Sequence, residues 1–326
     1  MPASESPLVS VVIATYNRPA YLRSAIASVV NGDYRNVEII VTDDSGTAVN
    51  REIAAGFADA RIVYWRNETN LGMAANHIHA FRDLLSGEFL AVLNDDDEWE
   101  PAFLSKLVPV LVDNPDVVIA FADHYLMDEH GTIDLAATEA NTRRWGRDVL
   151  SPGLHRPFWR RLVDKSIPVA QASVIRRGAI DWRDFPAEVG SAYDQWLGYL
   201  ACKTGKACYY LPERLTRYRA YDGSSTATGS DNGSLGLIFL YSRLIAMPEL
   251  AGLRGDLKRK CASAHLSHGL FLLQKRRARE ARKHIWNAML LRGLTPKSAV
   301  ALALASMPGT LGIGMLAALR RAHGGR

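Results

Sequence analysis

The sequence predicts an α/β protein built on a mostly parallel sheet with helices on both faces, followed by a helical C-terminal region. Two observations lead to this fold class. Through the first 120 residues, short apolar runs rich in β-branched residues alternate with helical patterns, which is the order expected for a parallel sheet. After residue 234 the pattern is helical and basic, with no further alternation.

The individual elements follow from the periodicity of the apolar residues. The first five strands are predicted at 8–14, 37–42, 61–65, 88–93 and 116–121. The helices between them are predicted at 20–30, 48–57, 73–85 and 101–113, the last with proline in its first turn. Residues 122–190 are less regular. Beyond them the pattern indicates a helix at 191–204, strands at 207–211 and 215–219, and a Gly/Ser/Thr-rich loop at 222–234.

Polar clusters follow three of these strands. They are Thr15-Tyr16-Asn17, Asp43-Asp44-Ser45 and Asn94-Asp95-Asp96-Asp97. Because ligands of parallel sheets bind beyond the carboxyl ends of the strands, we expect the clusters to share one edge. Adjacent carboxylates repel and raise each other's pKa, so this edge needs either solvent or a cation. Carboxylate oxygens suit Mg²⁺ or Mn²⁺; a solvated acidic turn is the alternative.

The net charge of +5 is unevenly distributed. Residues 251–326 hold fifteen Lys or Arg and two acids, whereas the first 250 residues carry a balance of −8. This asymmetry indicates either a polyanionic partner, membrane or nucleic acid, or a solvated basic helix face. The segment 298–319 is uncharged but interrupted by Met307-Pro308-Gly309-Thr310. It favours two short helices, lying on an anionic membrane surface, over a bilayer span.

Two further features bear on the compartment. The three cysteines, Cys202, Cys208 and Cys261, have no metal-site or disulfide spacing and are expected to be reduced core thiols. The first residues lack the pattern of a signal peptide. We therefore expect a cytoplasmic protein, with a peripheral location on the inner face of the membrane as an extension of the charge argument.

Four ordered segments carry a resemblance to a known family. VSVVIATYNRPAYLRSAIASV, VEIIVTDDSGT, NLGMAANHIHA and FLAVLNDDDEW resemble the N-terminal half of family 2 glycosyltransferases with the GT-A fold. The resemblance is strong over 8–121 and looser up to 222. It implies a catalytic domain over 1–222, with a nucleotide-sugar-binding half at 8–121 and an acceptor half at 122–222, and a basic helical region at 223–326.

The resemblance also implies an activity. Such enzymes move a sugar from a nucleotide-diphosphate donor to a hydroxyl acceptor with inversion. The acceptor would be a glycan, a lipid-linked sugar or a small molecule, in bacterial surface polysaccharide or glycoconjugate synthesis. No nucleic acid is expected as a partner.

The resemblance assigns the donor site to particular residues. Thr15 and Tyr16 would hold the nucleotide, with the aromatic ring of Tyr16 stacking on the base. Asp44 would accept a hydrogen bond from the base; a turn or helix-terminal carboxylate is its alternative reading. Asn76, in the NLGMAANHIHA segment, would also bind the donor.

The acidic metal motif of the family falls on Asn94-Asp95-Asp96. Asp96 would bear the Mn²⁺ or Mg²⁺ ion, and Asp95 would lie near the sugar or ribose. The first position, often aspartate in the family, is Asn94 here.

The catalytic base and a basic residue come later in the chain. The family places its base in a Glu-Asp pair that opens a helix, and Tyr193-Asp194 matches with Tyr193 in place of the glutamate. Asp194 is therefore the predicted general base, and helix capping is its alternative role. Arg219 would bind the donor diphosphate or meet a supporting carboxylate. The usual histidine of that segment is Tyr221.

Other classes fit the sequence less well. A nicotinamide-dependent dehydrogenase should carry G-x-G-x-x-G after the first strand, where this chain has ATYNRP. No P-loop is present, and the Gly-rich N-terminal loop of nucleotidyltransferases is missing. The surviving alternative is a sugar-nucleotide- or glycan-binding module without turnover, because Asn94 and Tyr193 depart from the family pattern.

Overall fold

A computed structural model describes residues 6–222, 233–307 and Met315. Ten strands in this part of the chain form one mixed sheet. They are β1 (Val9–Thr15), β2 (Val37–Asp43), β3 (Ile62–Arg66), β4 (Phe89–Val92), β5 (Glu98–Trp99), β6 (Val117–Met127), β7 (Ile133–Asp134), β8 (Gly153–His155), β9 (Ser173–Arg176) and β10 (Ala207–Arg219).

Seven α-helices accompany the sheet. They are α1 (Pro19–Val30), α2 (Val49–Ala55), α3 (Met73–Asp83), α4 (Phe103–Asp113), α5 (Leu135–Arg144), α6 (Trp159–Asp164) and α7 (Tyr193–Lys203).

The strand order is β3-β2-β1-β4-β9-β6-β10-β5, with β7 beside β6 and β8 beside β10. The pairs β1–β2, β2–β3, β1–β4 and β6–β10 are parallel. Strand β9 is antiparallel to both β4 and β6 and joins the two parallel halves. The mostly parallel α/β prediction is therefore confirmed, and β9 comes from a stretch in which the sequence shows no regular pattern.

Burial explains why the first elements form as they do. Every residue of β1 and β4 is buried, which is typical of central strands covered on both faces. Helix α1 begins with Pro19 at its first position, where the missing N–H costs nothing. Its buried residues Leu22, Ile26 and Val29 recur at the spacing of one helix face and pack into the core beneath the sheet.

The structure differs from the predicted boundaries in three places. Strand β6 continues to Met127, six residues past its predicted end. The two strands predicted at 207–211 and 215–219 are one strand, Ala207–Arg219, because register shifts against β6 absorb the intervening residues. Helix α4 begins at Phe103, so Pro101 lies in the preceding turn rather than in the helix.

The described chain divides into two compact units. The first contains the sheet and runs to Phe185, then from Tyr193 to Asp222; the second contains Pro186–Ala192 and the described residues from Gly233 onward. The division after residue 222 predicted from sequence stays a prediction. Gly236 shows why Pro186–Ala192 belongs to the second unit. A Cβ at position 236 would lie 1.9 Å from the carbonyl oxygen of Val189, so only glycine permits this approach.

The second unit is helical. Its α-helices are α8 (Ser234–Ala246), α9 (Arg254–Gln274), α10 (Ala278–Arg292) and α11 (Pro296–Ser306). Helix α11 is the first of the two helices predicted in 298–319, and the second falls outside the described residues. Within the described ranges, no single helix is long and apolar enough to cross a membrane, while α8 and the residues 248–274 together meet that criterion with a 113° bend between them. The three cysteines are buried and unpaired, as predicted.

Candidate active site

The parallel register brings the polar clusters to one edge of the sheet. Thr15, the last residue of β1, lies opposite Asp43, the last residue of β2, and β4 runs parallel on the other side of β1. Two hydrogen bonds connect the clusters. The Asp44 N–H donates to the Thr15 carbonyl oxygen at 3.1 Å, and the Thr15 hydroxyl donates to Asp95 Oδ2 at 2.8 Å. The shared edge expected from the sequence is thus present.

The first acidic turn contains one carboxylate that the fold uses and one that it leaves partly available. Both oxygens of Asp43 accept hydrogen bonds: Oδ1 from the Ser45 N–H at 2.8 Å and from Asn50 at 3.1 Å, and Oδ2 from the Tyr64 hydroxyl at 2.6 Å. Burial and the hydrogen bond to Asp43 raise the pKa of Tyr64 above its usual range. Asp43 is therefore a structural residue.

Asp44 is oriented through a chain of amides. Asn67 Nδ2 donates to Asp44 Oδ1 at 2.7 Å and to Asn76 Oδ1 at 2.8 Å, and Asn76 Nδ2 donates to the Thr42 carbonyl oxygen at 3.1 Å. Among the described residues, no hydrogen bond is made to the other oxygen of Asp44. Its donor-binding role remains a prediction that this free oxygen suits. The amide of Asn76 is occupied by protein contacts, so here it acts as a positioning residue.

Tyr16 projects its ring into solvent directly after β1. Its relative exposure is 51%, although it follows a strand in which every residue is buried. The backbone beside it is fixed, because the Asn17 N–H donates to the Ser45 hydroxyl at 2.8 Å. Thr15, by contrast, is buried and bonded to Asp95. Of the two predicted nucleotide-binding residues, Tyr16 is thus the one with an accessible surface for stacking.

The second acidic turn is paired with the guanidinium of Arg18, a contact that was not predicted from the sequence. Arg18 Nη1 lies 3.1 Å from Asp95 Oδ1 and 2.8 Å from Asp96 Oδ2. Tyr221 adds a hydroxyl 3.3 Å from the same Asp96 oxygen. Burial and the charge of Asp96 raise the pKa of Asp95 to about 6, and Arg18 opposes this shift. The positive charge of Arg18 therefore explains in part why adjacent carboxylates are tolerated at this strand end.

Asp97 is the structural carboxylate of the second turn. It is fully buried, and it accepts hydrogen bonds from Asn94 Nδ2 at 2.8 Å and from the Arg219 N–H at 2.9 Å. Burial and the charge of Asp96 hold its pKa well above the usual range. Asn94, which departs from the family pattern, thus donates to a buried carboxyl where an aspartate would add further negative charge.

Arg219 is held by protein groups throughout. Its guanidinium forms an ion pair with Glu98 at 2.8 Å and donates to the carbonyl oxygens of Asp96, Asp128 and Glu129 at 2.8 to 3.1 Å. Only 4% of the residue is exposed. Of its two predicted roles, these contacts match the supporting carboxylate; contact with a diphosphate stays a prediction. In this structure Arg219 fixes the backbone of Asp96.

Asp194 lies in the first turn of α7 and is half-buried. Gln195 Nε2 donates to its Oδ2 at 3.3 Å; the described part of the chain contributes no hydrogen bond to the other oxygen. Tyr193 is buried, and its pKa is held well above the usual range by burial and then by the negative charges of Asp194 and of the carboxylates at 95–97. Both acidic groups therefore act electrostatically on Tyr193.

A stacked pair of rings supports the start of α7. The rings of Tyr193 and His77 lie 4.3 Å apart. His77 Nδ1 lies 2.8 Å from the Met73 carbonyl oxygen and must donate to it, so Nε2 accepts from the Tyr193 hydroxyl at 3.1 Å. Burial lowers the pKa of His77 to about 4. Tyr193, the second departure from the family pattern, is thus a packed residue beside Asp194.

The residues present fit a divalent cation that is shared with a ligand. The described residues include no group of three carboxylate, histidine or cysteine side chains that could hold a metal alone. Mg²⁺ sites commonly use one or two protein carboxylates and complete their shell with water and substrate phosphates. Asp96 suits that arrangement: Arg18 and Tyr221 contact its Oδ2, and Oδ1 has no hydrogen-bond partner in the described ranges.

This fold, with acidic strand ends gathered at one edge, is of the GT-A class. The comparisons with known proteins agree. The model of glycosyl transferase family 2 matches residues 10–151. An uncharacterised glycosyltransferase of Methanocaldococcus jannaschii is 36% identical over 40% of this chain, and the aligned part is 46% of that protein, so the chain spans about half of its length.

A second relative is named for a specific activity. The GalNAc(5)-diNAcBac-PP-undecaprenol β-1,3-glucosyltransferase of Campylobacter jejuni is 35% identical over 31% of this chain and 34% of its own length. The match to glycosyl transferase family 2 thus covers residues 10–151, the part of the chain that contains both acidic turns.

Solved structures support the fold. TarS residues 1–349 of Staphylococcus aureus, in complex with UDP-GlcNAc, gives a TM-score of 0.61 at 14% identity, covering 91% of this chain and 90% of that one. The mannosyltransferase PcManGT of Pyrobaculum calidifontis, in complex with GDP-Man and Mn²⁺, gives 0.57 at 18% identity, covering 98% and 81%. At these identities the likeness establishes the GT-A fold.

Proposed function

We propose that the protein transfers a sugar from a nucleotide-diphosphate donor to a hydroxyl acceptor, with inversion and with the help of a divalent cation. One observation carries this proposal. The edge of the sheet presents an exposed aromatic ring, Tyr16, a partly free carboxylate, Asp44, and a second carboxylate with a free oxygen, Asp96. A nucleotide base can stack on such a ring and donate an N–H to such a carboxylate, and a diphosphate needs a cation that a second carboxylate can hold.

Each residue then has one role. Tyr16 stacks on the base, and Asp44 accepts a hydrogen bond from a base N–H. Asp96 holds Mn²⁺ or Mg²⁺, which when bound neutralises charge on the departing diphosphate. Thr15, Asn76 and Arg219 act by positioning the residues that touch the donor, as the contacts above describe.

Asp194 serves as the general base. An inverting transfer needs a carboxylate within hydrogen-bond reach of the acceptor hydroxyl, and it forms no covalent intermediate. Asp194 has an uncommitted oxygen within the described chain and lies in the first turn of a helix.

The relatives indicate the substrate classes. TarS was solved with UDP-GlcNAc, and the P. calidifontis enzyme with GDP-Man and Mn²⁺. Both ligands are nucleotide-diphosphate sugars, so we assign this class to the donor. The C. jejuni relative is named for an undecaprenol-linked glycan. A lipid-linked glycan is accordingly the first acceptor class to test, within bacterial polysaccharide or glycoconjugate synthesis.

Asp194→Asn tests the catalytic assignment. The substitution keeps the shape of the side chain and removes its basicity, so turnover should fall by ~10²–10⁴ while donor affinity is retained. Transfer is measured with chemistry limiting the rate, and the product anomer is assigned by NMR. Asp164→Asn, at a half-buried carboxylate paired with Arg160, is the matched control. Near-normal turnover in Asp194→Asn, or a retained anomer, would overturn the assignment.

A binding module without turnover is the second candidate, favoured by the packed Tyr193 and by Asn94 in the acidic turn. Hydrolysis of the donor in the absence of acceptor separates the two. An enzyme should release nucleoside diphosphate slowly, with a dependence on Mn²⁺ and on Asp96. A binding module should bind the same donors and release none, whichever cation is supplied.

A further inference from the structure

Helix α10 carries large apolar side chains on its solvent side. Trp286 is 52% exposed and Leu290 70% exposed. They are four positions apart in the sequence, so they lie on the same side of the helix. Leu294, just beyond the helix end, is 69% exposed. We call Trp286, Leu290 and Leu294 the apolar face.

The packing of the second unit does not use this face. The buried residues of α10 are Ala281, Ile285 and Ala288, which recur at the spacing of one helical stripe. Ala281 and Ile285 join the core formed with α9 and α11. Trp286 directly follows Ile285 and therefore points away from that stripe. Large apolar side chains exposed together on one side of a helix are typical of an interaction site.

Basic residues border the apolar face. Arg279 and Lys283 precede Trp286 by seven and three residues, which places them on the same side of α10, and both are exposed. The region supplies no acid to neutralise them. Residues 251–326 contain two acids, Asp256 and Glu280, and these already pair with Arg259 and Arg277.

We propose that the apolar face docks on an anionic membrane surface, with Arg279 and Lys283 against the lipid headgroups. Tryptophan and leucine beside lysine and arginine are what an interfacial helix presents to a bilayer. Charge argues against a second copy as the occupant, because a symmetric contact through this face would bring like-charged side chains together. The proposal is independent of sugar transfer, since it concerns binding alone.

The test is co-sedimentation of the full chain with vesicles, in the absence of donor and acceptor. Binding should be strong to phosphatidylcholine vesicles containing phosphatidylglycerol, and weak to phosphatidylcholine alone or at high salt. The double variant Trp286→Ser/Leu290→Ser should bind at least about tenfold less. Arg279→Gln/Lys283→Gln should bind about thirtyfold less, since each basic residue near an anionic surface contributes about fivefold.

Matched controls come from the first unit. Val149→Ser/Leu154→Ser removes two exposed apolar side chains, at 83% and 58% exposure. Arg23→Gln/Arg143→Gln removes two exposed basic side chains. Both controls should bind vesicles like the wild type. Circular dichroism melting verifies that each variant folds, and donor hydrolysis in solution reports separately on the proposed activity.

Three results would overturn the proposal. One is vesicle binding by Trp286→Ser/Leu290→Ser that equals the wild type. Another is equal binding to neutral and anionic vesicles. The third is a dimer in sedimentation equilibrium that the same double variant converts to monomer, which would make the apolar face an interface between copies of the chain.

Discussion

The two acidic turns at the edge of the sheet use their carboxylates in parallel ways but are neutralised differently. In each turn one aspartate is fully buried and bonded to the protein, Asp43 in the first and Asp97 in the second. A neighbouring aspartate keeps an oxygen free of partners among the described residues, Asp44 in the first turn and Asp96 in the second. In each turn, therefore, one carboxylate is used by the fold and another has an oxygen that a ligand could use.

The difference lies in the counter-charge. Amide and hydroxyl groups surround the first turn: Asn50 and Tyr64 at Asp43, and Asn67 at Asp44. The second turn has the guanidinium of Arg18 between Asp95 and Asp96. Neutral donors suit a site that binds an uncharged base, whereas a site built for a cation carries excess negative charge that needs a partner when the cation is away.

The largest effect on stability is expected from Asp43→Ala. Loss of the carboxylate leaves the Ser45 N–H and the Tyr64 hydroxyl without their acceptor and removes one of the two hydrogen bonds that the Asn50 amide donates. A buried donor left without a partner costs about 1–3 kcal/mol. The free energy of unfolding, measured by urea denaturation, should therefore decrease several times more in Asp43→Ala than in an exposed control variant such as Asp33→Ala. An Asp43→Ala protein as stable as the control would contradict the structural role of Asp43.

A smaller effect, on binding rather than stability, is expected from Asp44→Asn. A hydrogen bond to a charged group contributes about 1.5–3 kcal/mol, so affinity for the preferred nucleoside diphosphate should fall about tenfold to a hundredfold. Titration calorimetry with UDP and GDP measures this, with Asp33→Asn as the control. If the affinity for both nucleotides is unchanged, Asp44 does not contact the base.

A further effect concerns the pH dependence of stability, where the second acidic turn and His77 should act in opposite directions. Burial lowers the pKa of His77 to about 4, so between pH 6.5 and 4 the unfolded chain binds the proton more readily and stability falls as pH falls, by up to about 1.4 kcal/mol per pH unit. Asp95 and Asp97 have raised pKa values and bind protons more readily when folded. Acidification does not weaken the fold through them.

His77→Phe should therefore reduce the loss of stability between pH 6.5 and 4 relative to wild type. The comparison is made by denaturant unfolding at several pH values in that window. A steeper loss in the variant would contradict the assignment of acid sensitivity to His77.

The sequence predicts the first half of the fold closely because local patterns determine it there. Strands β1 to β4 come from short runs rich in apolar residues and bounded by turn residues, and α1 begins at a proline. Strand β9 could not be predicted in this way. It has four residues, Ser173–Arg176, and its identity as a strand comes from pairing with β4 and β6, which lie far away in the chain.

The site could be predicted in its location but not in its division of roles. Parallel pairing alone places the polar clusters at one edge. Which aspartate is free depends on distant partners, Tyr64 for Asp43 and the Arg219 backbone for Asp97. The contact of Arg18 could have been predicted from the sequence. Pairing of β1 with β4 brings the residues after Thr15 next to those after Val92, so a basic residue there has acidic neighbours.

We propose that Asp96, unlike Asp97, is the carboxylate available to a divalent cation. The direct measurement is the affinity for nucleoside diphosphate by calorimetry, with and without Mn²⁺, in the wild type, Asp96→Asn and the exposed control Asp113→Asn. We expect Mn²⁺ to tighten binding in the wild type and the control, and Asp96→Asn to lose this increment while unfolding at the wild-type temperature. An Asp96→Asn protein that keeps the full Mn²⁺ increment would contradict it.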